Sequence, residues 1–312
     1  MQSDFLVRFR GVRGTYPTPG SSTLKYGGNT ACVEVWAGGR LLILDAGTGI
    51  INLGRDLMKR RFQTQQPIVA HLFLSHAHAD HTQGLPFFGP AHEGSSTLYI
   101  FGSKILDDDL QEALSRAMLP PTFPVRWDEL PSLQVINNVS HNEVILVGPG
   151  PEPRICNAYR DADANPLCAA PAKTPDEAQT VRVSILQSFF HPSGHVSVFK
   201  IEWDGKSVVY ATDTEGAAGG DMRLISFCQG CDLLIHDAQY TTAEYLDTPY
   251  QGWGHSTPEM AALVAQKAGV KQLALFHHDP LHDDDQIEEM EAQAQALFKP
   301  TVAAYEGLTL HL

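Results

Sequence analysis

The chain has 312 residues, 43% of them hydrophobic and 19% charged, with a formal net charge of −14 at pH 7. That balance suits a folded globular protein and excludes a disordered one, and no apolar run reaches the roughly 18 residues a membrane span needs. A field of that sign repels long polyanions, which argues against an extended nucleic acid as substrate, but metal ions can invert the local potential for a small anion.

Residues 1–10 lack a basic region followed by an apolar core and a cleavage site, so the cytoplasm is the expected location. The cysteines are Cys32, Cys156, Cys168, Cys228 and Cys231. An odd number without an export signal predicts free thiols. Cys228-x-x-Cys231 has no second pair at zinc-binding spacing and reads as buried thiols.

Residues 5–10 alternate and predict a first strand, followed by a long Gly- and Pro-rich loop, 11–29. Residues 31–36 and 40–44 predict a hairpin around Ala37-Gly38-Gly39. The second strand ends in Asp45-Ala-Gly-Thr-Gly49, and 50–61 has helical spacing. Asp45 is either a capping carboxylate or the support of a metal-bound histidine. Residues 68–74 form a short apolar run that delivers His76, His78, Asp80 and His81 within six positions. Imidazole and carboxylate are good ligands for Zn, Mn or Fe, and a strand mouth is where α/β sheets bind ligands.

A strand at 97–101 follows, then a helix at 105–118 with an acidic start, Asp107-Asp108-Asp109, and strands at 133–136 and 144–147. Residues 148–177 are rich in Pro, Ala, Asp and Asn and read as a loop-rich insertion, a cover over the site, a partner contact or inert. Beyond it, strands again end in polar residues. Residues 181–190 lead to His191-Pro-Ser-Gly-His195, and 206–211 to Thr212-Asp213-Thr214 after a hairpin from 196–203. Residues 233–235 lead to His236-Asp237, and 272–276 to His277-His278. Ser256-Thr-Pro-Glu259 reads as a capping box opening a helix to about 268. A last helix spans 283–298, with short strands at 302–305 and 308–312. No composition break divides the chain, so one domain over 1–312 is expected.

His76-x-His78-x-Asp80-His81 is the HxHxDH signature, and with the later strand-mouth His, Asp and His it resembles the metallo-β-lactamase fold superfamily. The Gly-rich segments Gly11–Gly14, Tyr26–Thr30 and Asp45–Gly49 are similar too. The resemblance implies a four-layer αββα sandwich and two divalent metal ions, zinc first, with manganese or iron as alternatives. It places His76, His78 and His191 on one ion and Asp80, His81 and His277 on the other, with Asp213 and a hydroxide bridging them. His195 competes with His191, and His278 with His277.

His255 in Gly252-Trp-Gly-His255-Ser-Thr, with the run ending in His236-Asp237-Ala, resembles the ribonuclease Z and cyclic-nucleotide phosphodiesterase branch. There the resemblance makes His255 a proton donor, Asp237 its orienting carboxylate, and Asp80 both ligand and catalytic group. The long Gly- and Lys-rich arm with which some members recruit tRNA is not found in the sequence. The expected activity is therefore hydrolysis of small phosphodiesters such as cyclic nucleotides. The alternatives are a hydrolase of carboxylic esters, thioesters or lactams on the same metals, and a metal-bearing sensor without turnover. No membrane and no long nucleic acid are expected as partners; a homodimer is compatible with the sequence.

Overall fold

Runs of apolar and β-branched residues fold into two sheets in the computed structural model. It describes residues 5–103, 110–150, 152–171, 179–192, 194–217, 219–247 and 249–312. The strands are β1 (Leu6–Gly11), β2 (Cys32–Ala37), β3 (Arg40–Leu44), β4 (Val69–Leu74), β5 (Thr97–Gly102), β6 (Leu133–Asn138), β7 (Glu143–Val147) and β8 (Arg154–Asn157). They continue as β9 (Val181–His191), β10 (Gly194–Trp203), β11 (Lys206–Ala211), β12 (Leu233–Asp237), β13 (Gln272–Phe276), β14 (Thr301–Ala303) and β15 (Thr309–His311). One sheet runs β15-β1-β2-β3-β4-β5-β6 and the other β14-β13-β12-β11-β10-β9-β7-β8. From β3 to β6 in the first sheet and β11 to β14 in the second, neighbours are parallel. Those parallel strands end on the same side, and their mouths carry the chemistry.

The sheets face each other across one apolar core. Val7, Val33, Leu44, Phe73 and Phe101 from the first meet Val183, Ile185, Phe199, Tyr210 and Phe276 from the second, all at most 3% exposed. On the outer face of the first sheet, α1 (Gly49–Thr64) buries Ile50, Leu53 and Leu57 against Ile43, Leu72 and Ile100. On the outer face of the second, α5 (Met222–Phe227) and α7 (Pro258–Ala268) bury Leu224, Ala261 and Val264 against Val209, Leu234 and Leu273. The result is helix on sheet on sheet on helix. Each such Leu, Ile or Val contributes about 1.5–3 kcal/mol, more than the tenths per residue that helix propensity supplies. Packing therefore fixes the helices.

The structure corrects several expectations. Cys156 and Cys168 form a disulfide, with S–S 2.10 Å and Cα–Cα 5.9 Å. The reason lies in the 148–177 segment, which is not all loop. β8 pairs antiparallel with β7, Val144 opposite Cys156. Asn165 caps α4 (Pro166–Ala169), which seats Cys168 beside Val144 and Leu146. Cys32, Cys228 and Cys231 are free and buried. Pro151 and residues 172–178 of the segment lie outside the described residues, as do 104–109 with the acidic start Asp107-Asp108-Asp109. The described part of the helix expected at 105–118 is α3 (Leu110–Arg116).

The cap of α7 is Thr257, whose side chain accepts from the Met260 N–H, while Glu259 accepts from Thr242 Oγ1 at 2.6 Å. Ser256 is diverted because its N–H and hydroxyl serve Asp237 and the Thr214 carbonyl. α5 and α6 (Thr242–Asp247), six residues each, are too short to show a helical period in the sequence. No helix among the described residues is long and apolar enough to cross a membrane.

Candidate metal centre

The candidate ligands of the centre sit at strand mouths. β4 ends at Leu74, and the chain turns through Ser75 and His76 into a single helical turn, α2 (Ala79–Thr82), with His78 at its N-cap. The extended backbone at His78 followed by helical Asp80 and His81 turns the two halves of the motif to different sides. Asp45, Asp213 and His277 follow β3, β11 and β13 with φ of +60°, +50° and +63°. Left-handed backbone is costly for a side-chain-bearing residue, and such outliers cluster at functional sites.

Two groups of donor atoms result. His76, His78 and His191 converge, as do Asp80, His81, Asp213 and His277, every atom of a group within 4.8 Å of the others. Asp213 lies between them. Its Oδ1 is 3.7 Å from both His76 Nε2 and His191 Nε2. Its Oδ2 is 3.2 Å from His81 Nε2 and 3.4 Å from His277 Nε2. Asp80 Oδ2 completes the second group, 3.2 Å from His81 Nε2 and 3.1 Å from His277 Nε2. His78 is exposed, whereas Asp213, His81 and His277 are at most 2% exposed.

The outer nitrogens show what the inner ones are for. His81 Nδ1 is 2.7 Å from Asp45 Oδ2, His277 Nδ1 is 2.9 Å from Gln239 Oε1, and His76 Nδ1 is 3.1 Å from Ser75 Oγ. Each partner is an acceptor, since the Ser75 hydroxyl donates to Asp45 Oδ2 at 2.8 Å. The proton therefore sits on Nδ1 and the Nε2 lone pair points inward. His76 Nε2 is buried with no hydrogen-bond partner, and His81 Nε2 faces His277 Nε2 at 3.2 Å. Lone pairs aimed at one another beside carboxylates are unfavourable until a cation lies among them. The donor set fits divalent metal ions.

Supports come from every side. Asp45 also accepts from the Ser75 N–H at 2.7 Å and Tyr210 Oη at 2.7 Å. Burial, then the charge of Asp45, holds the Tyr210 phenol well above its usual range, so it stays a donor. The Thr15 N–H donates to Asp80 Oδ2 at 2.7 Å. That approach needs Gly14, where a Cβ would lie 2.4 Å from the His277 ring. Arg13, fully buried, ties this loop to the segment after His277 through the carbonyls of Gly27, Asp279 and His282.

His255 lies beside both groups. Its Nδ1 is 2.8 Å from Asp237 Oδ2, its ring stacks on His277 at 5.0 Å, and it shares a cluster with His191 and Asp213. Burial pulls its pKa down, but the Asp237 charge and hydrogen bond outweigh this and push it up to about 9. Burial keeps His191 neutral, down to about 4. Asp237 also accepts from the N–H groups of Ser256 (2.8 Å), Gln239 (3.2 Å) and Asp213 (3.2 Å).

The structure brings His191, and not His195, to the centre. His278 turns away, with Nε2 at 2.9 Å from the Ala304 carbonyl. Sequence reasoning missed Gln239, Ser75, Tyr210 and the Thr15 N–H. Gln239 could have been found, because it lies just past β12, the kind of place that marks Asp213. Tyr210 lies inside a strand and looks like core.

The family description "Beta-lactamase superfamily domain" matches residues 40–278. A protein named Ribonuclease Z from Picrophilus torridus is 24% identical over 329 aligned positions, covering 100% of this chain and 97% of that one. Among solved structures, the metallo-beta-lactamase fold protein YhfI from Bacillus subtilis superposes with a TM-score of 0.65 at 18% identity, covering 99% of this chain and 100% of that one. The short form of human tRNase Z superposes with a TM-score of 0.59 at 21% identity, covering 98% of each chain.

Proposed function

This chain belongs to the beta-lactamase superfamily, as a metal-dependent hydrolase of its ribonuclease Z-like branch, and from that premise we propose that it is a dinuclear phosphodiesterase acting on small phosphodiesters, cyclic nucleotides among them. The observation that carries the dinuclear reading is the Asp213 carboxylate, with one oxygen toward each histidine group. His76, His78 and His191 would hold one ion and Asp80, His81 and His277 the other, with Asp213 shared. Zinc suits these imidazole and carboxylate donors, and manganese or iron would fit them as well. When bound, such ions polarise phosphoryl oxygens and acidify water enough for it to attack near neutral pH.

The chain's own groups do the rest. Asp45, Gln239 and Ser75 fix the histidine tautomers, so the donors need no rearrangement. His255, with Nδ1–H on Asp237, presents Nε2 to the cluster and passes its proton to the departing alkoxide oxygen. Asp237 stabilises the protonated ring and holds its plane. We also propose that residues 1–312 act as one domain, because the two sheets share one core and both supply the centre.

A net charge of −14 supports a small substrate. A second reading, cleavage of an RNA phosphodiester, is favoured by the relative named Ribonuclease Z, which aligns along the whole chain. One panel separates them: bis(p-nitrophenyl) phosphate, 3′,5′- and 2′,3′-cyclic nucleotides, a precursor tRNA, nitrocefin and a thioester. The small phosphodiesters are expected to turn over, with His255→Ala lowering kcat by about 10²–10⁴. Cleavage of the precursor tRNA alone would select the second reading. Turnover of nitrocefin or the thioester alone would overturn both.

A further inference from the structure

Trp253 is 53% exposed, while Trp127 and Trp203 are at most 9% exposed. Exposure alone is common for aromatics; what sets Trp253 apart is how it is held. The N–H groups on either side of it, Gly252 and Gly254, both donate to Glu215, at 2.8 and 3.0 Å. Glu215 also accepts from Tyr245 Oη at 2.6 Å and lies two residues past Asp213. Gly254, at φ +91°, presses against His191, where a Cβ would lie 2.4 Å from the ring. The segment is thus clamped to the metal centre.

A file of rings joins Trp253 to the interior. Its ring is 5.2 Å from Tyr250, Tyr250 stacks on Tyr240 at 4.5 Å, and Tyr240 meets His255 edge-on at 5.7 Å. His255 in turn stacks on His277. Clamped in this way, the half-exposed ring keeps a fixed face to solvent beside His191.

We propose that Trp253 is a specificity-determining residue, a stacking platform for a planar aromatic group, a nucleobase above all, carried by the phosphodiester. This rests on the phosphodiesterase reading and narrows its substrate class to nucleotides. A base stacked on Trp253 would lie at the mouth while its phosphate reaches past His255 to the centre. Base stacking on an aromatic side chain is sequence-tolerant, so the platform selects for a base and not for which base.

The test compares the metal-loaded native protein with Trp253→Ala and Trp253→Phe. The substrates are the p-nitrophenyl ester of thymidine 5′-monophosphate and methyl p-nitrophenyl phosphate. Trp253→Ala should lower the preference for the nucleoside ester about tenfold, through KM, and Trp253→Phe should restore most of it. An unchanged preference in Trp253→Ala overturns the proposal. A short oligoribonucleotide run in parallel tells a free nucleotide from an RNA end as the source of the base. Quenching of tryptophan emission by thymidine 5′-monophosphate, set against inorganic phosphate, reads the platform without turnover. Quenching by the nucleotide in the native protein and its loss in Trp253→Ala support the platform, even if no ester is cleaved and the phosphodiesterase reading fails. Equal quenching in both proteins, or none in the native one, overturns it.

Discussion

Asp45 shows how a single carboxylate organises the centre without facing it. It is fully buried, left-handed at φ +60°, and accepts from Ser75, Tyr210 and His81. Asp45→Asn keeps a residue that tolerates that backbone but removes the charge that fixes the His81 proton on Nδ1. Metal affinity should fall about 10–100-fold, read by competition with a chelator; unchanged affinity would mean that Asp45 only shapes the turn. In the sequence Asp45 could be a cap or the support of a metal-bound histidine; in the fold it meets His81 Nδ1, while Thr48 is the N-cap residue of α1. The choice between His191 and His195 had the same character. Both follow an apolar strand, and only the three-dimensional course of β9 and β10 tells which ring meets His76 and His78. Asp237 and His255 are eighteen positions apart, and their 2.8 Å contact is tertiary.

At the scale of elements, β4 does more than deliver the histidine motif. His71 lies within it, 5% exposed, its Nδ1 at 3.1 Å from the Leu41 carbonyl and its ring stacked on Tyr99 at 5.3 Å. Burial holds its pKa down to about 4. The native ring stays neutral while the unfolded chain takes up a proton near pH 6.5, so stability is lost as pH falls from about 6.5 to 4. His71→Phe keeps the stack and cannot take up a proton. Between pH 7 and 4.5 it should lose roughly 2–3 kcal/mol less stability than the native chain, measured by urea unfolding. Equal losses would show that His71 does not set this dependence. Most strands and the helices α1, α7 and α8 (Asp284–Leu297) were legible in the sequence, because short apolar runs bounded by turn residues mark the strands and apolar residues in helical period mark the helices. α5, α6 and β8 were not, being held by tertiary contacts and too short to show a period.

For the whole molecule, the two sheets face each other across one core and their mouths meet at one centre, so stability and metal binding are linked. The superfamily was readable from HxHxDH and the later strand mouths, since the motif's chemistry requires those residue types. The disulfide was not, because nothing in the spacing of Cys156 and Cys168 reports that β8 pairs with β7. Reducing it releases a loop with a sequence separation of 12, and about 2–3 kcal/mol of stability should go with it. Urea unfolding with and without reductant checks this; equal midpoints would mean the bridge constrains nothing. Asp213 would join the two histidine groups into one dinuclear centre. The most direct test is the metal content of the purified native protein and of Asp213→Ala by elemental analysis. About two divalent ions per chain are expected in the native protein and fewer in the variant, with turnover abolished. Full metal content and full activity in Asp213→Ala would contradict this role of Asp213.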